Sequence, residues 1–438
     1  MLTSNHLSDE AKQTSNSRFF YGWAIVAIAT LALLVSNGLS IGGIPVFYKF
    51  IQADLIASGA VSKENIQSVY GVAPAMTFLL AGFLAPVAGY LLQKLNARTM
   101  MIIGCVILGG GLGLYSQSTS ALSVYASHAL LGASLGFVGV LVNTVLVSNW
   151  FVRRRGLALG IVYTGTSFGG AVIPQISNPL IERYGWRTAM LLVSLLVWFI
   201  LLPAVIVFVK NKPEDIGVLP DGDPTQAVTH GNTSKDELPR MTLVQAIRTP
   251  QFWIFSICAA LVFYALFVVS QQLNLYLQGP SIGFTSAQAA GVQSLLFILS
   301  IAGKFVYGFL ADKFATSRVM LVSASTMFLS TLVFLYFDST TVYLFAILFG
   351  LNYGGTFVLL QLLVADYFGT REYGKILGAV TVIETIGGAL GTIITGRIAD
   401  ANGGDFAVAF LGLIVVTGLS FALTIVLNIF YRKHAVAV

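Results

Sequence analysis

Two ionisable residues stand where so apolar a chain should not tolerate them. Lys304 lies in the run "SLLFILSIAGKFVYGFLADK" and Glu384 in "GAVTVIETIGGALGTIITGR". Lys304 precedes Asp312 by eight residues, or ~12 Å along a helix, too deep for its ammonium to reach either surface comfortably. Glu384 follows Lys375 by nine residues and precedes Arg397 by 13, near the middle of its run. Charges held inside hydrocarbon are costly, and they characteristically face a polar pathway or one another. Lys304 is therefore a candidate to hold an anion. Glu384 is a candidate to pair with that lysine when the site is empty, and to take up a proton when an anion displaces it, because burial and a nearby anion both favour the neutral carboxyl. The bland alternatives are a lysine neutralised by its burial or by a helical neighbour, and a static ion pair. His128 reads as a hydrogen-bonded packing residue rather than a proton carrier.

The elements that must position these charges are membrane helices. Charged residues make up 10% and hydrophobic ones 56% of the 438 residues, too apolar a balance for a water-soluble surface. Twelve runs approach the roughly 20 residues that cross a bilayer as a helix. They cover 20–48, 68–92, 99–115, 122–149, 156–181, 188–209, 252–277, 287–311, 319–337, 342–367, 374–398 and 406–430. The polar amino terminus lacks the apolar core and small-residue end of a removable signal peptide, so the first run is expected to stay as a helix. With both termini in the cytoplasm, 18 of the 24 basic residues fall on the inner side, as the positive-inside rule requires. The net charge of +6 then reflects loops facing anionic lipid, not nucleic-acid binding. Cys105 and Cys258 lie in separate apolar runs and suggest neither a disulfide nor a metal site, and the histidines show no metal-ligand spacing. "GTREYGKI" from Gly369 has the glycine and lysine spacing of a phosphate loop, but Ile376 stands where a Ser or Thr would ligate magnesium. No cofactor, metal or ATP drive is expected.

The chain also repeats itself. Gly132, Gly136, Gly156, Gly160, Gly169 and Gly170 recur 218 positions later as Gly350, Gly354, Gly374, Gly378, Gly387 and Gly388. "GYLLQKLNAR" from Gly89 recurs as "GFLADKFATSR" from Gly308, offset by 219. Two six-helix halves follow, 1–209 and 249–438, joined by a polar cytoplasmic linker over 210–248 without a folded domain of its own. The repeated glycines read as scaffold that lets the fourth and fifth helices of each half approach closely. Lys304 and Glu384 are not repeated: their counterparts are Ala85 and Thr166.

These features resemble the major facilitator superfamily over nearly the whole chain. The loops at Gly89 and Gly308 are similar to its cytoplasmic gating motif. The second copy keeps Gly308, Asp312 and Lys313; the first keeps Gly89 and Arg98 but has Gln93 where the acid is usual. "RFFYGWAIVAI", "NWFVRRRGLALGIVYTGTSFGG" and "RTPQFWIFSICAALVF" together resemble the bacterial monocarboxylate transporter-like and oxalate:formate antiporter group. That resemblance implies an all-α membrane protein with twelve transmembrane helices, moving a small carboxylate by alternating access, with Lys304 at the position of a substrate-pairing cation. Oxalate exchangers of the group are expected to offer a second cation from the eleventh span, where this chain has Glu384, so a monocarboxylate of the lactate, pyruvate or formate kind is favoured. Ser300 and Gly42 replace an acid and a lysine of the animal relatives, which leaves the proton-coupling step unassigned. Asn37, Asn143, Gln271, Gln272, Asn274, Asn352, Tyr353 and Gln361 fall in the helices that line the cavity of this fold. Asn143 and Gln272 are the further substrate-binding candidates, from their depth. The implied protein is no enzyme, works as a monomer in a plasma membrane of the bacterial inner-membrane kind, and has membrane lipid, a small organic anion and a proton as candidate partners. The competing readings are oxalate:formate exchange and a non-transporting sensor that kept the fold.

Overall fold

The computed structural model describes residues 20–222, 241–369 and 371–435. Its membrane-crossing helices are α1 (Gly22–Ala57), α2 (Ile66–Lys94), α3 (Ala97–Ser116), α4 (Ala121–Trp150), α5 (155–184), α6 (186–208), α7 (Pro250–Leu277), α8 (Ser286–Lys313), α9 (Thr316–Tyr336), α10 (Thr341–Phe368), α11 (Tyr373–Ala401) and α12 (Ala407–Ala435). Helix α5 runs into α6 without a loop. The 54-residue stretch Arg155–Phe208 would be ~80 Å long as one rod, but it turns at Gly185, whose φ of 76° and ψ of 158° are open to glycine and strained for other residues. The expected loop between the fifth and sixth spans is thus a single residue. Helix α1 continues past the expected end at Tyr48 to Ala57, because Lys49, Gln52 and Asp54 extend it as a polar helix beyond the apolar run.

Short polar residues start the helices. Asn96, Ser120, Thr249 and Thr285 each accept a backbone N–H from the first turn of the helix that follows. Helix α2 has no such cap of its own, and the Asp400 carboxylate at the end of α11 accepts from Gln67 N at 2.9 Å and Ser68 N at 2.6 Å instead.

The helices form two six-helix halves. The repeated glycines do bring backbones together, but between other helices than expected. A Cβ on Gly132 would strike the Thr77 carbonyl of α2, on Gly169 that of Leu34 in α1, on Gly350 that of Leu296 in α8, and on Gly387 that of Ala260 in α7. The close pairs are therefore α2 with α4, α1 with α5, α8 with α10 and α7 with α11. Gly156, Gly160, Gly374 and Gly378 meet nothing within 4 Å.

The ends of the linker dock on the two loops that precede α5 and α11. Asp221, at φ 57°, accepts from the backbone N–H groups of Val152, Arg153 and Arg154. Met241 N donates to Phe368 O, and Leu243 N to Glu372 Oε2 at 2.8 Å. Lys375 donates to the other oxygen of Glu372 at 2.8 Å, and these two bonds hold the exposed carboxyl below its ordinary pKa. That lysine is thus engaged within its own loop. The middle of the expected linker, 223–240, lies outside the described residues.

Candidate functional site

One face of the molecule carries the linker ends, the start of α1 and the end of α12; we call it the terminal face. The halves meet chiefly along two seams, α5 against α8 and α2 against α11, and α1 also touches α7 and α8. Away from the terminal face both seams are closed. A Cβ on Gly71 would sit 2.6 Å from the Thr392 carbonyl oxygen, and one on Gly170 2.7 Å from the Phe297 ring. Gln175 donates to Ser294 Oγ, and Ser286 donates to Asn178 Oδ1.

Helix α1 is π-helical over Leu34–Gly43, a geometry that leaves carbonyls open to outside donors and recurs at functional sites. Gln271 Nε2 donates to Ile41 O at 2.9 Å while its Oε1 accepts from Tyr48. Gln293 Nε2 donates to Gly42 O at 3.2 Å. Two glutamines of the second half thus hold the distorted stretch of the first.

Lys304 ends this zone. Its Nζ crosses from α8 to α5, donating to Tyr163 O at 2.7 Å and to Ser167 Oγ at 2.8 Å. Among the described residues, no hydrogen bond between the two halves lies nearer the terminal face. Helices α5 and α11 there present glycines with empty space beside them. Lys304 is half-buried and closes the series of hydrogen bonds between the halves on the terminal side.

Glu384 is buried, at 5% exposure, on α11. It neighbours Thr385, which a Cβ on Gly82 of α2 would touch at 3.1 Å. It does not pair with Lys304: the ion pairs among the described residues are Arg187–Asp54 and Lys375–Glu372. The expected empty-state pair is not formed in this conformation.

Asn143 and Gln272 are both fully buried, and both have their amide donors engaged by protein carbonyls. Helix α4 breaks at Gly139, and Asn143 Nδ2 takes the freed Val138 and Gly139 carbonyls at 2.7 and 2.8 Å. Gln272 Nε2 donates to Thr392 O at 2.8 Å, tying α7 to α11. In each, the side-chain oxygen is left without a protein partner. Asn352 joins three helices, accepting from Tyr307 at 2.8 Å and Ser323 at 3.0 Å. His128 is bonded through both ring nitrogens, to Thr77 and Tyr115, as the packing reading expects.

The gating-motif residues stand at the terminal face and do not bridge the halves here. Gly89 and Gly308 have open space beside them. Arg98 donates to the Ile206 carbonyl, and Lys313 lies 4.3 Å over the Phe309 ring. Asp312 is exposed. The residues that sequence reasoning missed are Ser167 and Tyr163; only the glycine-rich setting of Ser167 in "GTSFGG" marks a place where another helix comes close.

The family model for the Major Facilitator Superfamily matches residues 26–392 and 279–436. The chain belongs to the Major Facilitator Superfamily. It is a multi-pass membrane protein of the transporter type. Among its relatives, the MFS transporter asaE of Aspergillus flavus is 23% identical over 92% of this chain and 86% of its own. Monocarboxylate transporter 13 of Rattus norvegicus is 24% identical over 91% of this chain and 88% of its own. The crystal structure of a bacterial homologue of the human lysosomal transporter Spinster, inward-facing and unoccupied, superposes with a TM-score of 0.64 at 15% identity, covering 94% of this chain and 95% of that one. That likeness bears on the fold alone.

Proposed function

We propose that this superfamily member is a secondary transporter of a small monocarboxylate, which it moves by alternating access with the terminal face in the cytoplasm. The observation that carries the reading is Lys304. It is an unrepeated cation at the boundary between the halves, held by a serine and a backbone carbonyl, with no carboxylate on it among the described residues. An ammonium bonded to neutral oxygens has no counter-ion of its own in the protein to displace, so an incoming carboxylate can pair with it directly. The rat relative's name, monocarboxylate transporter 13, supports the same class of substrate. The orientation is supported by the sequence, in which 18 of the 24 basic residues fall in the segments expected to be cytoplasmic.

Glu384 serves as the proton carrier. It is a buried carboxyl on α11 without a hydrogen-bonding partner among the described residues. An acid at this position in place of a second cation disfavours a dicarboxylate. Asn143 and Gln272 are fully buried here, with their amide donors on backbone carbonyls, and would join the site only in a conformation that releases those donors.

The test is uptake of labelled formate, acetate, lactate and pyruvate into proteoliposomes by the wild type and Lys304→Ala. The variant should express normally and lose at least about tenfold in uptake of the preferred acid, as expected when one partner of a buried charged contact is truncated. Unchanged carboxylate uptake by the variant would exclude the reading.

A further inference from the structure

Two serine hydroxyls stand beside the Lys304 ammonium, and the bonds they make show how it is held. Ser300 Oγ lies 2.7 Å from Ser167 Oγ and 2.8 Å from Phe297 O. A carbonyl only accepts, and a hydroxyl donates one hydrogen. Ser300 Oγ donates to Ser167 Oγ and shares its one hydrogen with Phe297 O. Ser167 Oγ therefore accepts twice, from the Lys304 ammonium and from Ser300, and both bonds reach it from α8.

These two bonds cross the seam, since Lys304 and Ser300 belong to α8 and Ser167 to α5. One N–H of the ammonium goes to Ser167 and a second to Tyr163 O. Tyr163 is itself fixed by its hydroxyl, 2.8 Å from Thr144 Oγ1 of α4. An ammonium has three donors, so one remains.

We infer that Ser167, with Ser300 behind it, is the positioning residue of the substrate cation: it holds the Lys304 ammonium so that a single N–H is presented to one oxygen of the substrate carboxylate. The inference rests on the reading of Lys304 as the substrate cation. It makes the binding site composite, with the charge supplied by one half of the protein and its aim by the other. It also gives a reason for a lysine at this place. A guanidinium would offer a planar fork of donors, whereas an ammonium with two donors engaged recognises one oxygen from one direction.

The experiment compares wild type, Ser167→Ala, Ser167→Thr and Lys304→Ala in proteoliposomes, with labelled formate, acetate, lactate and pyruvate as probes and KM and maximal rate measured separately. Losing a hydrogen bond to a charged group should raise KM about tenfold in Ser167→Ala. The maximal rate should stay within about twofold, since ground-state and transition-state binding are lost together. Ser167→Thr, which restores the hydroxyl, should return KM to near the wild-type value. Uptake that depends on Lys304 but shows an unmoved KM in Ser167→Ala overturns the positioning role and leaves the reading of Lys304 intact. A fall in maximal rate that Thr does not rescue also overturns it, because the serine would then be structural. Absence of any Lys304-dependent uptake across the four acids overturns the reading of Lys304 and this inference with it.

Discussion

Helices α5 and α11 are the same element used twice, and the way each meets the opposite half differs at every depth. Near the far face, α5 reaches α8 with a side chain, Asn178 accepting from Ser286 at 2.5 Å. The counterpart on α11 is Gly396, whose bare backbone lies against α2 so closely that a Cβ would stand 2.5 Å from the Gln67 carbonyl oxygen. At mid-depth α5 offers Ser167 to a lysine, while its counterpart Thr385 folds its hydroxyl back onto Thr381 O at 2.7 Å and touches only Gly82. Thr166 on one helix is Glu384 on the other. At the terminal face Arg154 precedes α5 where Glu372 precedes α11. The duplicated frame sets where the helices run; the polar chemistry was distributed afterwards, one seam receiving a held cation and the other a close-packed hinge with a lone acid beside it.

The largest test of that contrast is steric. Gly396→Leu should push α2 off α11 and cost on the order of 1–3 kcal/mol, lowering the melting temperature of the detergent-solubilised protein by roughly 5 °C or more. Gly374→Leu on the same helix has room for its side chain and should melt within about 1 °C of the wild type. Equal melting of the two variants would mean that the α2–α11 seam is not close-packed.

A chemical test comes next. If α11 carries the proton while α5 only aims the lysine, wild-type uptake should rise severalfold as the external pH falls from about 8 to 6, and Glu384→Gln should abolish that rise. A variant that keeps the wild-type pH profile would remove the acid from the cycle.

The smallest effect is expected at the loop before α11. The Lys375 ammonium and the Leu243 N–H both favour the charged form of Glu372 and lower its pKa. A depressed carboxyl contributes its contact above its unfolded pKa and loses it as pH drops through the folded value, so the linker pin should persist at neutral pH and down to about pH 5. Amide exchange at Leu243 should be slowed in that range and faster in Glu372→Gln. Equal exchange in the two proteins would show that the pin does not form in solution.

Much of the frame is legible in the sequence because a bilayer leaves few choices. Apolar runs of spanning length must be helices, and the 218-residue glycine echo divides them into halves. What hydropathy does not carry is direction around a helix axis. Asn143 sits at the expected depth, yet its amide serves the break at Gly139, which is visible only once the backbone there has been built. Lys304 and Glu384 are both legible as charges, but not that they stand unpaired with each other in this conformation. Ser167 is hidden by its own ordinariness, since short hydroxyls in membrane helices commonly satisfy themselves on a carbonyl one turn back, as Thr385 does. Gly185 is hidden for a related reason: a turn made by one residue leaves no polar stretch to interrupt the apolar pattern.

That one-residue elbow has a mechanical consequence. Where α1 and α2 are joined by the exposed loop 58–65, a tilt of one helix can be absorbed before it reaches the next. Gly185 offers no such slack, and α6 must follow whatever α5 does, as two arms of one rigid bracket. An affinity tag or a fiducial for microscopy placed on the far face therefore belongs in the first loop. Spliced into the bracket, it would alter the angle on which the aim of the lysine depends.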